Sequence, residues 1–334
     1  MNARRSTLPA AAAGLLLLLA ACGDPGSGGG TADPTSGGDA GAAVCEPVAG
    51  EQLVVLEDDQ GLQNADNVIP AVNAEAATAD PALIPLLDSV SDALDTDKLI
   101  QLNKAVDIDR QTSSEAAATF VEDEGLAAAD AAAGSGKSVV IGAANFSESA
   151  TLSEIYAAVL RSAGYTAEVQ TIGNRETYLP ALQSGQITLT PEYAATLTEF
   201  LNTSANGADA EPVASGDPDA TVEALTTLGS EAGLTFGAVS AAQDQNAFAV
   251  TSAFAEEHDI TTLSDLATAC GGGVVLAGPA ECPERPFCQI GLEDTYGITV
   301  SEFASYDFGL IGDAVRQGEA SIGLVLSSDG SLAS

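Results

Sequence analysis

The sequence predicts an α/β protein whose strands pair largely in parallel. Two observations carry this. From Ser138 onward, short apolar runs suited to strands alternate with helical patterns, the signature of crossover units on a parallel sheet. The chain is also 334 residues long and 46% hydrophobic, enough for one large or two modest domains with a proper core.

The first residues read as an address. Arg4 and Arg5 give a basic start, Leu15 to Leu19 an apolar core too short to span a bilayer, and Leu19-Ala20-Ala21-Cys22 a lipoprotein cleavage box. Residues 1–22 are therefore expected to be a signal peptide, with Cys22 carrying lipid as a membrane anchor. Residues 23–44 are mostly Gly, Ser, Thr, Ala, Asp and Pro, a flexible tether.

Residues 53–56 then read as a strand, with a turn over Asp58 to Gly61. Asp80-Pro81 is a cap and first-turn proline, and Leu83, Ile84, Leu87, Val90 and Leu94 mark one helical face. A second helix starts near Thr96, with Leu99, Ile100, Leu102 and Val106 inward. A third runs from Ser114 to near Gly125. AAADAAAGSGK, residues 127–137, reads as a linker.

Ser138 to Gly142 opens the alternating region as a strand, and Asn145-Phe146-Ser147-Glu148 turns into a helix with Leu152, Ile155, Tyr156, Val159 and Leu160 buried. Strands are expected at Ala167 to Ile172, Ile187 to Leu189, near Leu234, at Ala247 to Thr251, Val274 to Ala277, around Phe303 and at Ile322 to Leu326. Helices are expected at Tyr178 to Leu182, after Pro191-Glu192-Tyr193, and near 219–228, 262–268, 290–296 and 311–317. Asn202 to Asp217 reads as a surface loop.

The formal charge is -38, with only ten Lys and Arg. Nucleic acid and anionic lipid headgroups are excluded as partners on that ground. Beyond Cys22 four cysteines remain, an even number, which in an exported protein suggests two disulfides. Cys282 and Cys288 are close in sequence and are expected to close a small loop, leaving Cys45 with Cys270. Zinc is the competing use, but no CxxC occurs and His258 is the single histidine. No metal or other cofactor is expected.

From Lys137 onward the chain resembles the substrate-binding proteins of ABC importers for glycine betaine, choline, carnitine and related osmolytes. VVIGAANFSESATLSEIYAAVLRSAGY resembles that family's first strand and helix, ITLTPEYAATL its strand-to-helix turn, QNAFAVT the entry to its second lobe, and RQGEASIGLVLSSDGSL the way out of it. There the family continues with a Val/Leu-rich strand and an acidic turn, whereas this sequence ends at Ser334. That continuation resembles GEQLVVLEDDQGLQNADNVIPAV near the front, and DPALIPLLDSVSDALDTDKLIQLNKAVDIDR with EAAATFVEDEGL resembles the closing helices. The order 137–334 followed by 50–126 would restore the family domain. A circular permutation is therefore expected, with 127–137 as the bridge.

The resemblance implies a two-lobe, periplasmic-binding-protein-like (type II) fold with a hinged cleft. Residues 45–126 with 138–243 would form the first lobe, and 244–330 the second. It also implies a monomeric receptor that closes on a small ligand and docks on ABC permease subunits. A quaternary ammonium offers no hydrogen-bond donor and is held by aromatic faces. Matched residue by residue, Tyr193 stands where the family has a cage tyrosine and Thr196 where it has a cleft hydroxyl. Asp244 stands where relatives carry an Asp or Asn facing the cation, and Arg285 in a segment where they place an arginine. Asn145 and Ser149 lie on the cleft-lining first loop. Asn246 and Leu326 depart from the pattern, standing where further cage tyrosines belong. Tyr306, Phe308, Phe146 and Tyr178 are the candidate replacements.

No GxSxG, HExxH or GxxxxGK[ST] occurs, so the reading is a binding protein and not an enzyme. An adhesion or signalling protein on the same fold is the alternative, as is a receptor for a different small ligand.

Overall fold

The computed structural model describes residues 44–333. Cys22, the segment 1–22 and all but the last residue of the tether lie outside the described residues. Ten strands form two five-stranded sheets. They are β1 (Leu53–Val55), β2 (Val68–Asn73), β3 (Ser138–Ala144), β4 (Thr166–Gly173), β5 (Leu189–Tyr193), β6 (Leu234–Phe236), β7 (Asn246–Thr251), β8 (Val274–Gly278), β9 (Val300–Ser305) and β10 (Ile322–Leu326). The first-lobe sheet has the order β4-β3-β5-β2-β6, and the second-lobe sheet β1-β7-β10-β8-β9.

Pairing is mixed, where the sequence pointed to parallel. β3 runs parallel to β4 and β5, and β8 parallel to β9 and β10. β2 is antiparallel to both its neighbours, and so is β7. These two strands follow the places where the chain passes from one sheet to the other. A strand arriving from the opposite lobe, and not through a crossover helix, is free of the rule that keeps βαβ strands parallel.

Both sheets are packed on both faces. Along β2, Val68 and Val72 belong to one apolar cluster and Ile69 and Ala71 to another, the period-two alternation of a pleated strand. In β7, Phe248 and Val250 face one side and Ala247 and Ala249 the other. The helical faces read from sequence are the ones buried. Leu83, Leu87, Val90 and Leu94 pack with Leu152, Ile155, Tyr156, Val159 and Leu160 in the largest first-lobe cluster. Each such side chain contributes roughly 1.5–3 kcal/mol by leaving water.

Three expectations are corrected. β2 was not foreseen as a strand. Its Pro70 argues against a central position, yet Pro70 sits opposite Pro191 of β5. Next, the segment from Cys45 to about Leu62 belongs to the second lobe. β1 pairs with β7, and Cys45 bridges to Val274 and is disulfide-bonded to Cys270. Its apolar side chains Leu53 and Leu56 are buried against that sheet. Third, the 127–137 linker is a packed series of turns. Ala128 N donates to Ser162 Oγ at 2.8 Å, Gly134 N to Ala163 O at 2.8 Å, and Lys137 Nζ pairs with Asp80 at 2.7 Å.

Both expected disulfides are present, Cys45–Cys270 and Cys282–Cys288. His258 Nδ1 lies 3.8 Å from Cys45 Sγ, but both sulfurs there are joined to each other. Among the described residues no helix is long and apolar enough to cross a membrane.

Candidate functional site

The two passages between sheets run side by side. Asn67 and Gln243 form an antiparallel bridge, Asp244 N donates to Asp66 O at 3.1 Å, and Asp66 N donates to Gln245 Oε1 at 3.3 Å. Each passage carries one aspartate, Asp66 and Asp244, into a cavity of about 690 Å3. The first lobe supplies Asn145, Phe146, Ser149, Arg175, Tyr178, Tyr193, Thr196 and Glu199 to its walls, and the second lobe Phe287 and Leu326.

Local structure places these groups. β3 ends at Ala144, and the helix Ser147–Ser162 starts three residues later, so Asn145 and Phe146 stand on the connecting turn. Ser149 Oγ accepts from Ala144 N at 2.9 Å, which closes that turn and leaves Ser149 buried. β5 delivers Tyr193 at its last position, and the helix Ala194–Asn206 puts Thr196 in its first turn. The Phe146 and Tyr193 rings lie 6.2 Å apart with planes tilted by 31°. Tyr178 and Phe287 are the other aromatic side chains on the cavity wall.

Behind this wall the polar groups form two networks. In one, the Tyr193 hydroxyl and Asn103 Nδ2 both donate to Glu148. Asn103 Nδ2 also donates to Ser328 O at 2.8 Å, and Ser328 Oγ donates to Asp244 Oδ1 at 2.8 Å. The chain of contacts thus runs from the first lobe, through Glu148, to the second lobe's exit and back to the crossing. In the other, Arg175 Nη2 meets Glu192 at 2.7 Å and donates to Thr196 Oγ1 at 2.9 Å, while the Tyr178 hydroxyl donates to Glu192 at 2.8 Å. Glu192 is fully buried. Left alone it would carry a heavy desolvation cost, and Arg175 supplies the opposing charge.

This arrangement decides the sign of the site. Asp66, Asp244 and Glu199 line the cavity against one guanidinium, and that guanidinium is already matched by Glu192. The field therefore favours a cation. Burial pushes the Asp66 carboxyl up to about 7, against the Thr196 N–H that donates to it and the nearby Arg175 charge. Burial likewise raises Glu148, with Asp244 adding to the effect, and it raises Asp244. Crowded, desolvated carboxyls are poised to exchange protons for a bound cation.

Of the residues singled out from sequence, Tyr193, Thr196, Asp244, Asn145 and Ser149 all line this cavity. Arg285 does not. It is exposed on the loop between Cys282 and Cys288, and the arginine at the cavity is Arg175. Asn246 and Leu326 do line it. Of the four candidate aromatic replacements, Phe146 and Tyr178 are on the wall, whereas Tyr306 donates to Glu319 at 2.7 Å and neither it nor Phe308 lines the cavity. Sequence reasoning missed Asp66, Gln63, Arg175 and Phe287. In a chain with ten basic residues, an arginine at a strand-to-helix turn was a usable signal for Arg175, and an aromatic inside a two-cysteine loop was one for Phe287.

Two α/β lobes joined by a paired crossing, with a ligand-sized cavity beside it, define a type II periplasmic-binding-protein-like fold. The chain belongs to the family described as the substrate binding domain of ABC-type glycine betaine transport systems, which matches residues 48–123 and 137–334. That is a family of solute-binding proteins. Among solved structures, one described as a glycine betaine/carnitine/choline ABC transporter is 20% identical with a TM-score of 0.48, over 59% of this chain and 70% of the other. Apo YehZ from Escherichia coli is 23% identical with a TM-score of 0.46, over 58% and 71%. No curated protein sequence matches the chain.

Proposed function

We propose that this protein captures a small quaternary ammonium compound outside the cytoplasm and delivers it to the permease of an ABC importer, held at the membrane by lipid on Cys22. The observation that carries the ligand class is the pairing of four aromatic side chains, Phe146, Tyr178, Tyr193 and Phe287, with Asp66 and Asp244 around one cavity. An ammonium without N–H groups gains about 0.5–2 kcal/mol from each aromatic face it meets, and the aspartates supply the counter-charge. Arg175 is engaged by Glu192 and Thr196, which removes the obvious partner for a ligand carboxylate. Choline is therefore expected to bind more tightly than glycine betaine, with carnitine between them. Asn246 and Leu326 at the wall support a second reading, a different small cation of similar size on the same site.

A thermal-shift screen with choline, glycine betaine, carnitine and proline tests the proposal, followed by calorimetry on any hit. Binding to the folded state alone raises the melting temperature, by an amount that grows with ligand over Kd. Choline is expected to give the largest shift. No shift with any ammonium compound would overturn the ligand class, and a larger shift with proline would redirect it.

A further inference from the structure

Around the cavity, aromatic faces come unevenly from the two lobes. The first lobe brings Phe146, Tyr178 and Tyr193, while on the second-lobe side stand Asn246, Leu326 and Phe287. Among the described residues, Phe287 is thus the only aromatic lining the cavity on that side. The residue is 43% exposed, although its loop is tied at several points. The Cys282–Cys288 disulfide closes the loop, and both cysteines are buried. Arg285 N donates to Cys282 O and Cys288 N to Arg285 O, each at 3.1 Å. Pro286 O lies so close to Gly291 that a Cβ there would approach it to 2.2 Å. Gln63 Nε2, from the passage between lobes, donates to Phe287 O at 3.1 Å.

Phe287 belongs to none of the apolar core clusters, so core packing does not account for the tying of its loop. Ordering it beforehand lowers the entropic cost of immobilising it on a ligand. We infer that Phe287 is the specificity-determining aromatic of the second lobe, presented by the Cys282–Cys288 loop to close the aromatic cage over a quaternary ammonium. The inference rests on the ligand class proposed above. The ring distinguishes charge from shape. A cation gains from the negative face of the ring, whereas a neutral molecule of the same outline gains only from contact.

The test uses the purified protein, with calorimetry against choline and its uncharged isostere 3,3-dimethylbutan-1-ol. Phe287→Ala is expected to weaken choline binding about tenfold and isostere binding much less, so that discrimination between them collapses. Phe287→Trp should keep or strengthen choline binding. The Cys282→Ala/Cys288→Ala pair should weaken choline binding while thermal unfolding stays cooperative. The assignment is overturned if Phe287→Ala binds choline within twofold of the unaltered protein, or if both probes weaken equally. Unchanged affinity in the double cysteine variant would remove the loop from the argument. Should the unaltered protein bind no ammonium compound, the ligand class falls and this assignment with it. Binding that survives the loss of Phe287 refutes the assignment alone.

Discussion

Burial moves the Asp66 carboxyl from its ordinary 3.8 to about 7, and that one side chain couples stability, proton and ligand. Arg175 faces it from the helix Arg175–Gln183, and Asp244 from the neighbouring passage. Glu148 lies beyond Asp244, and Asp329 adds its own charge at the second-lobe exit. The folded value is raised, so the associated stability is full below the ordinary value and is lost as pH climbs through about 7. The unliganded protein is therefore expected to melt at a lower temperature at pH ~8 than at pH ~5, and Asp66→Asn, which keeps an acceptor for Thr196 N, should flatten that slope. Ligand affinity runs the other way. A cation needs Asp66 ionised, so choline binding should strengthen up to about tenfold per pH unit below 7 and level off above it. Calorimetry in two buffers of different ionisation heat should register proton release on binding below pH 7. A flat affinity profile in the native protein would separate Asp66 from the ligand.

At the scale of elements, what was legible followed from periodicity. The faces Leu83–Leu94 and Leu152–Leu160 were visible because packing against a sheet demands a stripe every three to four residues. β2 was hidden because Pro70 breaks the local rule; it is tolerated because it stands opposite Gly237, just past the end of β6, where Gly237 N donates to Pro70 O at 3.1 Å and a missing donor breaks no strand pairing. The site divided the same way. Tyr193 and Asp244 stood in segments that resemble a known family, whereas Phe287 lies on a loop whose place beside the cavity involves a disulfide and a bond from the distant Gln63, neither of which local pattern displays. Close packing between elements also sets a testable cost. On β10, Gly323 faces the helix Ile311–Arg316, and an added Cβ would lie 2.7 Å from Ile311 Cγ2 and Val315 Cγ2. Gly323→Ala is expected to destabilise by about 1–3 kcal/mol through overpacking, read as a lower denaturation midpoint with an unchanged slope. Choline affinity of the folded fraction should be unchanged, because Gly323 and Leu326, three residues apart on β10, face opposite sides of the sheet; a parallel loss of affinity would show the strain reaching the site.

For the whole molecule, the order of segments is the question. The family matches 48–123 and 137–334 and leaves 124–136 between them. In space the start of the first piece lies beside the end of the second. Arg316 Nε donates to Glu51 O at 3.1 Å and its Nη2 to Ser331 O at 2.6 Å, while Gly50 N donates to Arg316 O at 3.0 Å. One side chain thus spans the two places that a permuted order would have separated. The segment 124–136 meanwhile packs on the first lobe as turns. A chain running from 137 to 333, then through a Gly/Ser linker to 44–123, keeps the contacts within and between those two pieces and gives up only those of 124–136, such as Ala128 N to Ser162 Oγ and Gly134 N to Ala163 O. Loop closure grows slowly, by about 0.6 kcal/mol for each doubling of length, so the reordered chain should melt within a few degrees of the original and bind choline within about twofold. Both disulfides should form, since Cys45 is retained. A reordered chain that fails to fold, while the original refolds reversibly, would mean that the present segment order is itself required. The two separated matches would then not be interchangeable parts of one domain.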